Sequence, residues 1–257
     1  MKATQLVRMP FLPMKLVPGS VLVGIAILIF WLLLSIRFVQ FVAPPSQAFT
    51  ELWLGFSEGW IIPHAQATFT SALIGFGIAI VGGVSIGLVL GVNTFLRNVF
   101  EPVLVSGYAV PKIILFPIII MFVGIGMGAQ VVNVFIHAVF PLIILTTAAV
   151  REIEPIYIKV GRCFNASPID FLSKIYLPAI ALPLVVALRL AFSLSIVSVI
   201  LAELFASKQG LGRLLMQAYV VFNMPRMYAI ILLLFSVGFV GNLLLWILEK
   251  RLRTVAA

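Results

Sequence analysis

Few residues in this chain could do chemistry, and two of them stand where charge is expensive. Arg189 and Glu203 both fall in the apolar stretch 180–204, fourteen residues apart. That is about 21 Å along a helix, too far for a direct pair on one straight helix. An ionisable group inside a membrane span is costly and is by default a functional candidate. Arg189 lies toward the inside end, where it is read as attracting an anion or binding a neighbouring helix, or else as bonding to carbonyls and snorkelling. Glu203 lies near the outer end, where water is expected to solvate it, with a place on the pathway as the alternative. Lys112, in the stretch 102–123, is expected to snorkel to the inner interface.

Other chemistries lack their constellations. His64 and His137 are far apart and have no metal-ligand spacing, so no metal site is expected. The single cysteine, Cys163, excludes an intrachain disulfide and a cysteine-based zinc cage, and a reduced thiol is expected. Ser71, Ser85, Ser193, Ser195 and Ser198 have no partnered base, so they do not form a nucleophilic site; serines in spans more often hydrogen-bond between helices. There is no G-x-x-x-x-G-K-[ST] loop for nucleotide phosphates. The chain itself is not read as an enzyme.

The elements that position these residues are membrane helices. Of the 257 residues, 63% are hydrophobic and 10% charged, against about 25% charged in an ordinary soluble domain. The net charge of +9 raises nucleic acid as a partner, but the basic residues lie mainly between apolar runs. They do not form the polar, basic face that nucleic acid requires. Six apolar runs, at roughly 19–39, 67–92, 102–123, 129–150, 180–204 and 228–248, are each of spanning length. The expectation is an all-α integral membrane protein with six transmembrane helices. Residues 1–18 are a cytosolic segment and 19–257 a single transmembrane domain. With the N-terminus inside, the inside segments carry eleven Lys or Arg and the outside segments four, which places both termini in the cytosol.

Two spans have unusual composition. In 67–92, Gly75, Ala79, Gly83, Gly87 and Gly91 recur every fourth residue. Such a ridge lets helix backbones approach closely; packing within the bundle is the first reading, and a pathway or dimer seam the second. In 102–123, Pro111 and Pro117 each remove a backbone donor, so a kink or local unwinding is expected. Breaks at membrane depth persist only where protein or water satisfies the freed carbonyls, which favours an interior, pathway-side helix. The apolar piece 210–222 is too short to cross and is expected to be re-entrant or interfacial.

The inside loop 151–178 reads as a helix, a sharp corner and a second helix between spans four and five. Pro155 suits a first helical position, and Asn165 tolerates the left-handed backbone that ends a helix. Ser167, Pro168 and Asp170 read as N-cap, first and third positions of the next helix, which Pro178 is expected to bound. Ile156, Val160 and Phe164 form an apolar stripe at i, i+4, i+8, suited to docking on the chain's own bundle or in a partner's groove.

The stretch REIEPIYIKVGRCFNASPIDFLSKIYLPAIALP resembles the EAA-type loop of binding-protein-dependent (ABC) importer permeases. The family's Glu-Ala-Ala positions fall on Lys159, Val160 and Gly161, its Gly on Asn165 (followed here by Ala166 and Ser167), and its closing Leu-Pro on Leu177 and Pro178. Lys for Glu and Asn for Gly are departures; Asn still permits the left-handed corner. VPKIILFPIIIMFVGIGMGAQ, ALRLAFSLSIVSVILAELFASKQGLG and MPRMYAIILLLFSVGF are similar to segments of the nitrate/sulfonate/taurine-type branch. The resemblance implies a permease in a bacterial-type inner membrane, working as a homodimer. Two cytosolic ATPases would dock near Asn165 and bind ATP and magnesium, while an external solute-binding protein delivers a small anion or sulfonate-like solute. A stand-alone secondary transporter or channel is the alternative.

Overall fold

The structure is a computed structural model that describes residues 18–256; the basic residues Lys2, Arg8 and Lys15 of the expected cytosolic segment lie outside them. Among the described residues there are helices and turns and no strand. In chain order they are α1 (Pro18–Arg37), α2 (Pro45–Ser57), α3 (Ile61–Val92), α4 (Thr94–Ala109), a 3-10 turn (Lys112–Leu115), α5 (Phe116–Val123), α6 (Met127–Arg151) and α7 (Pro155–Cys163). The single turn α8 (Pro168–Asp170), a π-helical stretch (Phe171–Tyr176) and α9 (Leu177–Phe205) run on as one helix, followed by α10 (Leu211–Val220) and α11 (Met224–Ala256).

Four helices are long and apolar enough to cross a membrane: α3, α6, α11 and the composite Pro168–Phe205. The α4–α5 pair makes a fifth if its two arms, bent by 86°, count as one span. In α1, the apolar part Val21–Arg37 is shorter than these. Exposed apolar side chains such as Leu73, Val81, Phe235 and Phe239 cover the outer faces, the arrangement expected of a body solvated by lipid.

α6 is the centre of the bundle, with α3 on one side and α9 on the other. Ala79, Leu90, Ala138, Val139, Leu142, Ile143, Ala187 and Ala191 form the core where the three meet. The close approach has a steric cause. A Cβ built on Gly75, Gly83, Gly87 or Gly91 would come within 2.5–2.7 Å of Val134, Leu142, Thr146 or Val150 of α6. Ala79 in the same row is fully buried. The ridge therefore faces the chain's own α6.

Three boundaries differ from expectation. Pro178 does not bound a helix. Its ring would crowd the carbonyl four residues back and it offers no N–H; the wider π turn immediately before it takes up that misfit, so the helix passes through. The last helix runs past 248 to Ala256, which brings Glu249 into the bundle. α2, unmarked in the sequence reading, begins with Pro45 at its first turn and packs on α11, where Arg226 meets Glu51 at 3.6 Å.

Candidate functional site

The loop between α6 and α9 forms a compact corner. α7 starts at Pro155, and its chain turns at Asn165, whose φ of 50° is left-handed. The Ala166 amide donates back to the Gly161 carbonyl at 3.0 Å, closing the helix end. Ser167 then caps the next helix: its hydroxyl accepts the Asp170 amide at 3.2 Å, and the Ser167 amide donates to the Asp170 carboxylate at 3.3 Å. This reciprocal pair is a capping box. Lys174 meets the same carboxylate at 2.5 Å. The Lys174 ammonium first, and the Ser167 hydroxyl and amide after it, pull the Asp170 carboxyl down to about 2.

The corner leans on its own helix through Gly161, where a Cβ would lie 2.6–2.9 Å from Ile175 and Phe171. The apolar stripe is left uncovered. Ile156 and Val160 are exposed, and Phe164 is 82% exposed. The stripe therefore does not dock on the chain's own bundle. Lys159 and Cys163 are exposed beside it. A groove of about 760 Å³ opens between α7 and the start of α9, lined by Tyr157, Val160, Phe164, Ala166, Lys174 and Pro178, among others.

Glu203 is fully buried, which overturns its expected solvation. Thr68 of α3 donates to its carboxylate, 2.8 and 2.9 Å from the two oxygens, and the Gly212 amide of α10 donates at 2.8 Å. The Thr68 hydroxyl also accepts the Leu211 amide at 2.8 Å, and the Gly210 amide donates to Nδ1 of His64 at 3.0 Å. The first turn of α10 is thus pinned to α3 and α9 through buried polar groups, and its orphan amides are satisfied there.

Arg189 is not an isolated charge. Its guanidinium meets Glu249 of α11 at 2.8 Å, and Glu249 also takes Arg253. Farther along the same seam, Asn242 donates to Ser193 at 3.0 Å. Glu249 was missed because the segment beyond 248 reads as a basic tail; Arg253 four residues after Glu249 was the available signal.

Lys112 does not reach an interface. It is 8% exposed, its ammonium donates to the Tyr108 carbonyl at 2.8 Å, and it lies 4.7 and 4.9 Å from the ring centres of Tyr108 and Phe140. Phe140 stands near the middle of α6, about 20 Å of helix from Met127 and about 16 Å from Arg151. The ammonium is therefore close to mid-membrane, at the break between α4 and α5. Pro111 caps that break with an extended backbone, and Pro117 sits in the first turn of α5. The carbonyl of Tyr108, left free where the helix stops, takes the lysine side chain instead of a backbone amide. Other buried polar groups join helices: Ser71 donates to Gln130 at 2.6 Å, and Asn133 to the Ser198 carbonyl at 2.8 Å. Among the described residues, no group of three His, Cys, Asp or Glu side chains could hold a metal ion.

The chain belongs to the family described as the binding-protein-dependent transport system inner membrane component, whose model matches residues 79–254. It is 21% identical over 236 residues to the taurine transport system permease protein TauC of Escherichia coli (strain K12), covering 89% of this chain and 86% of that one. It is 33% identical over 180 residues to the bicarbonate transport system permease protein CmpB of Synechococcus elongatus, covering 69% and 63% respectively. Its fold is similar to that of a chain of the inward-facing MetNI methionine ABC transporter, with a TM-score of 0.64 and 22% identity over 76% of this chain and 96% of that one. The ABC importer permease resemblance read from the sequence is thereby established as family membership; the taurine and bicarbonate permeases are proteins to which the chain is similar.

Proposed function

We propose that this chain is the pathway-forming permease of an ATP-driven importer for a small anion or sulfonate-like solute. In this reading two copies pair, each with six spans counting α1 and the bent α4–α5 pair, and both termini face the cytosol. The corner at Asn165 projects into the cytosol, and two ATPase subunits grip it; ATP and magnesium belong to those subunits. An external solute-binding protein delivers the solute at the opposite face, near α10.

The observation that carries the reading is the exposed stripe Ile156, Val160 and Phe164 on a helix braced from behind through Gly161. A short helix with one apolar face outward and a stiff backing suits the groove of another protein. Lys159, Val160, Gly161, Asn165, Ala166, Ser167, Leu177 and Pro178 form or border that docking element. The small-anion class rests on the names of the taurine and bicarbonate relatives. For the pathway, Arg189 stays a candidate with its charge shared with Glu249, Pro111 and Pro117 shape the broken span, and Glu203 holds the outer turn.

A crosslinking pull-down of the tagged chain from native membranes, read by mass spectrometry, tests this. An ATPase crosslinked within the Asn165 corner, together with a solute-binding protein, is the expected result. Efficient crosslinking that returns the chain alone would instead favour a stand-alone carrier, with ion-gradient-driven uptake as the measurement to follow.

A further inference from the structure

We infer that Lys112 is the cation of an anion-binding subsite at the break in the α4–α5 span, occupied by a small oxyanion or sulfonate group in transit. The inference rests on the small-anion reading above and adds a place and a residue to it.

Lys112 lies near mid-membrane with 8% of its surface exposed, and its one oxygen partner is the Tyr108 carbonyl. No carboxylate pairs with it among the described residues. The acids are engaged or remote: Glu203 with Thr68 and Gly212, Glu249 with two arginines, Glu101 with Arg151, Glu51 with Arg226 and Asp170 with Lys174. Glu58, Glu152 and Glu154 are exposed. A buried ammonium without a counter-charge is costly, and intramembrane cations of this kind mark ion pathways. Its other company is the faces of Tyr108 and Phe140, which attract a cation without neutralising it.

The same arrangement suits transient binding. A site on a transport path must hold its ion firmly enough to admit it and weakly enough to release it. A carboxylate beside Lys112 would compete with the passing anion at every encounter. Two ring faces and one carbonyl hold the ammonium in place but leave its charge available. Discontinuous helices at mid-membrane supply binding groups in transporters because their backbone is irregular only where a cavity or protein satisfies it. Here the break sits at Val110–Pro111, immediately before Lys112. Ile114 and Leu115, just past the lysine, are exposed, so the bend borders the surface of the single chain. With only 8% of Lys112 exposed, a compact ion is favoured over a phospholipid headgroup, which shares the anionic chemistry.

The test uses the full chain in phosphatidylcholine nanodiscs, as wild type, Lys112→Arg and Lys112→Gln. Thermal unfolding is followed in sodium nitrate, bicarbonate or methanesulfonate against sodium gluconate at equal ionic strength. The small anions are expected to raise the midpoint of wild type and Lys112→Arg and to leave Lys112→Gln unmoved. On wild type alone, nitrate should slow modification of Lys112 by a membrane-permeant amine reagent, read by mass spectrometry, so the result does not depend on a variant folding. In cells carrying the complete transporter, Lys112→Gln should cut uptake by about tenfold or more at unchanged membrane level, while Lys112→Arg retains most of it. Equal midpoint shifts in wild type and Lys112→Gln overturn the inference, as does unprotected Lys112. A stabilisation that appears only when phosphatidylglycerol is added assigns the site to lipid and also overturns it. If wild-type cells take up none of the three anions, the small-anion function falls, while protection of Lys112 by nitrate separately supports the subsite.

Discussion

The guanidinium of Arg189 and the carboxylate of Glu249 meet at 2.8 Å across the seam between α9 and α11. Glu249 is shared with Arg253 one turn later, so two cations flank one nearly buried acid. Removing the acid leaves both guanidinium groups facing each other; removing Arg189 leaves the acid with a partner. Glu249→Gln is therefore expected to cost more stability than Arg189→Gln. The coupling in an Arg189–Glu249 double-mutant cycle should be about 1–2 kcal/mol, below a fully buried pair because Arg189 is a third exposed. Denaturant unfolding in detergent measures both. Arg189→Gln that transports and assembles normally would remove this arginine from the pathway.

Thr68 serves two masters at once, donating to Glu203 and accepting the Leu211 amide. Thr68→Val keeps the shape and deletes both bonds, leaving a buried amide and a buried carboxylate each short of a partner. A loss of about 1–3 kcal/mol is expected. Hydrogen exchange should locate it, with faster exchange in residues 210–220 and little change in α6. Uniform exchange across the chain would show that α10 is held by something else.

Two glycines of α3 offer a matched pair. Gly83→Ala brings a Cβ to 2.6 Å from Leu142 and 3.2 Å from the Val139 carbonyl, whereas at Gly77 nothing lies within 4 Å. Gly83→Ala is expected to destabilise by about 1–3 kcal/mol through overpacking. Gly77→Ala should be neutral or slightly stabilising, because alanine is the better helix former. Thermal unfolding of the two variants side by side decides it; equal effects would mean that α3 and α6 can separate freely.

Asn165 holds its left-handed backbone at the tip of the corner. Asn165→Gly should be tolerated, while Asn165→Val should strain the corner by about 1–2 kcal/mol. ATPase stimulation is the reading that matters: it should fall in Val and persist in Gly, with membrane insertion equal in both. Full stimulation by the Val variant would sink the docking assignment.

The capping box predicts a pH limit for the same corner. The Asp170 carboxyl is held at about 2, below its ordinary 3.8, by Lys174 and then Ser167. A depressed pKa means the stabilisation is complete above the unfolded value and disappears as pH falls through the folded one. The corner should keep its structure down to about pH 4 and loosen between there and about pH 2. Lys174→Gln should move that loosening to higher pH, as followed by the carboxyl resonance of Asp170; an unmoved titration would show that Lys174 does not hold the acid.

Much of this was legible in one dimension. Long apolar runs fixed the places of α3, α6 and α9 within several residues, because lipid demands length and apolarity of a helix before anything else. The corner was readable because Asn165, Ser167 and Pro168 act on their own backbone. What stayed hidden depends on partners far along the chain. Glu203 reads as solvated until α10 folds back over it. Lys112 reads as snorkelling until the break turns it toward Phe140. Pro178 reads as a boundary because nothing local announces the π turn that absorbs it. α2 carries little of the apolar signal of a span and went unmarked.

The helix from Pro168 to Phe205 is unbroken over 38 residues, which makes it a lever arm about 57 Å long. Ile169, exposed at one end, and Glu203, pinned to α10 at the other, ride on the same rod. A tilt of about 5° about one end would carry the other by about 4–5 Å, close to one helical pitch. A shove at the corner thus arrives at the first turn of α10 as displacement, with no loop in between to take up slack; the π turn at Phe171–Tyr176 is the place where such a rod would first flex.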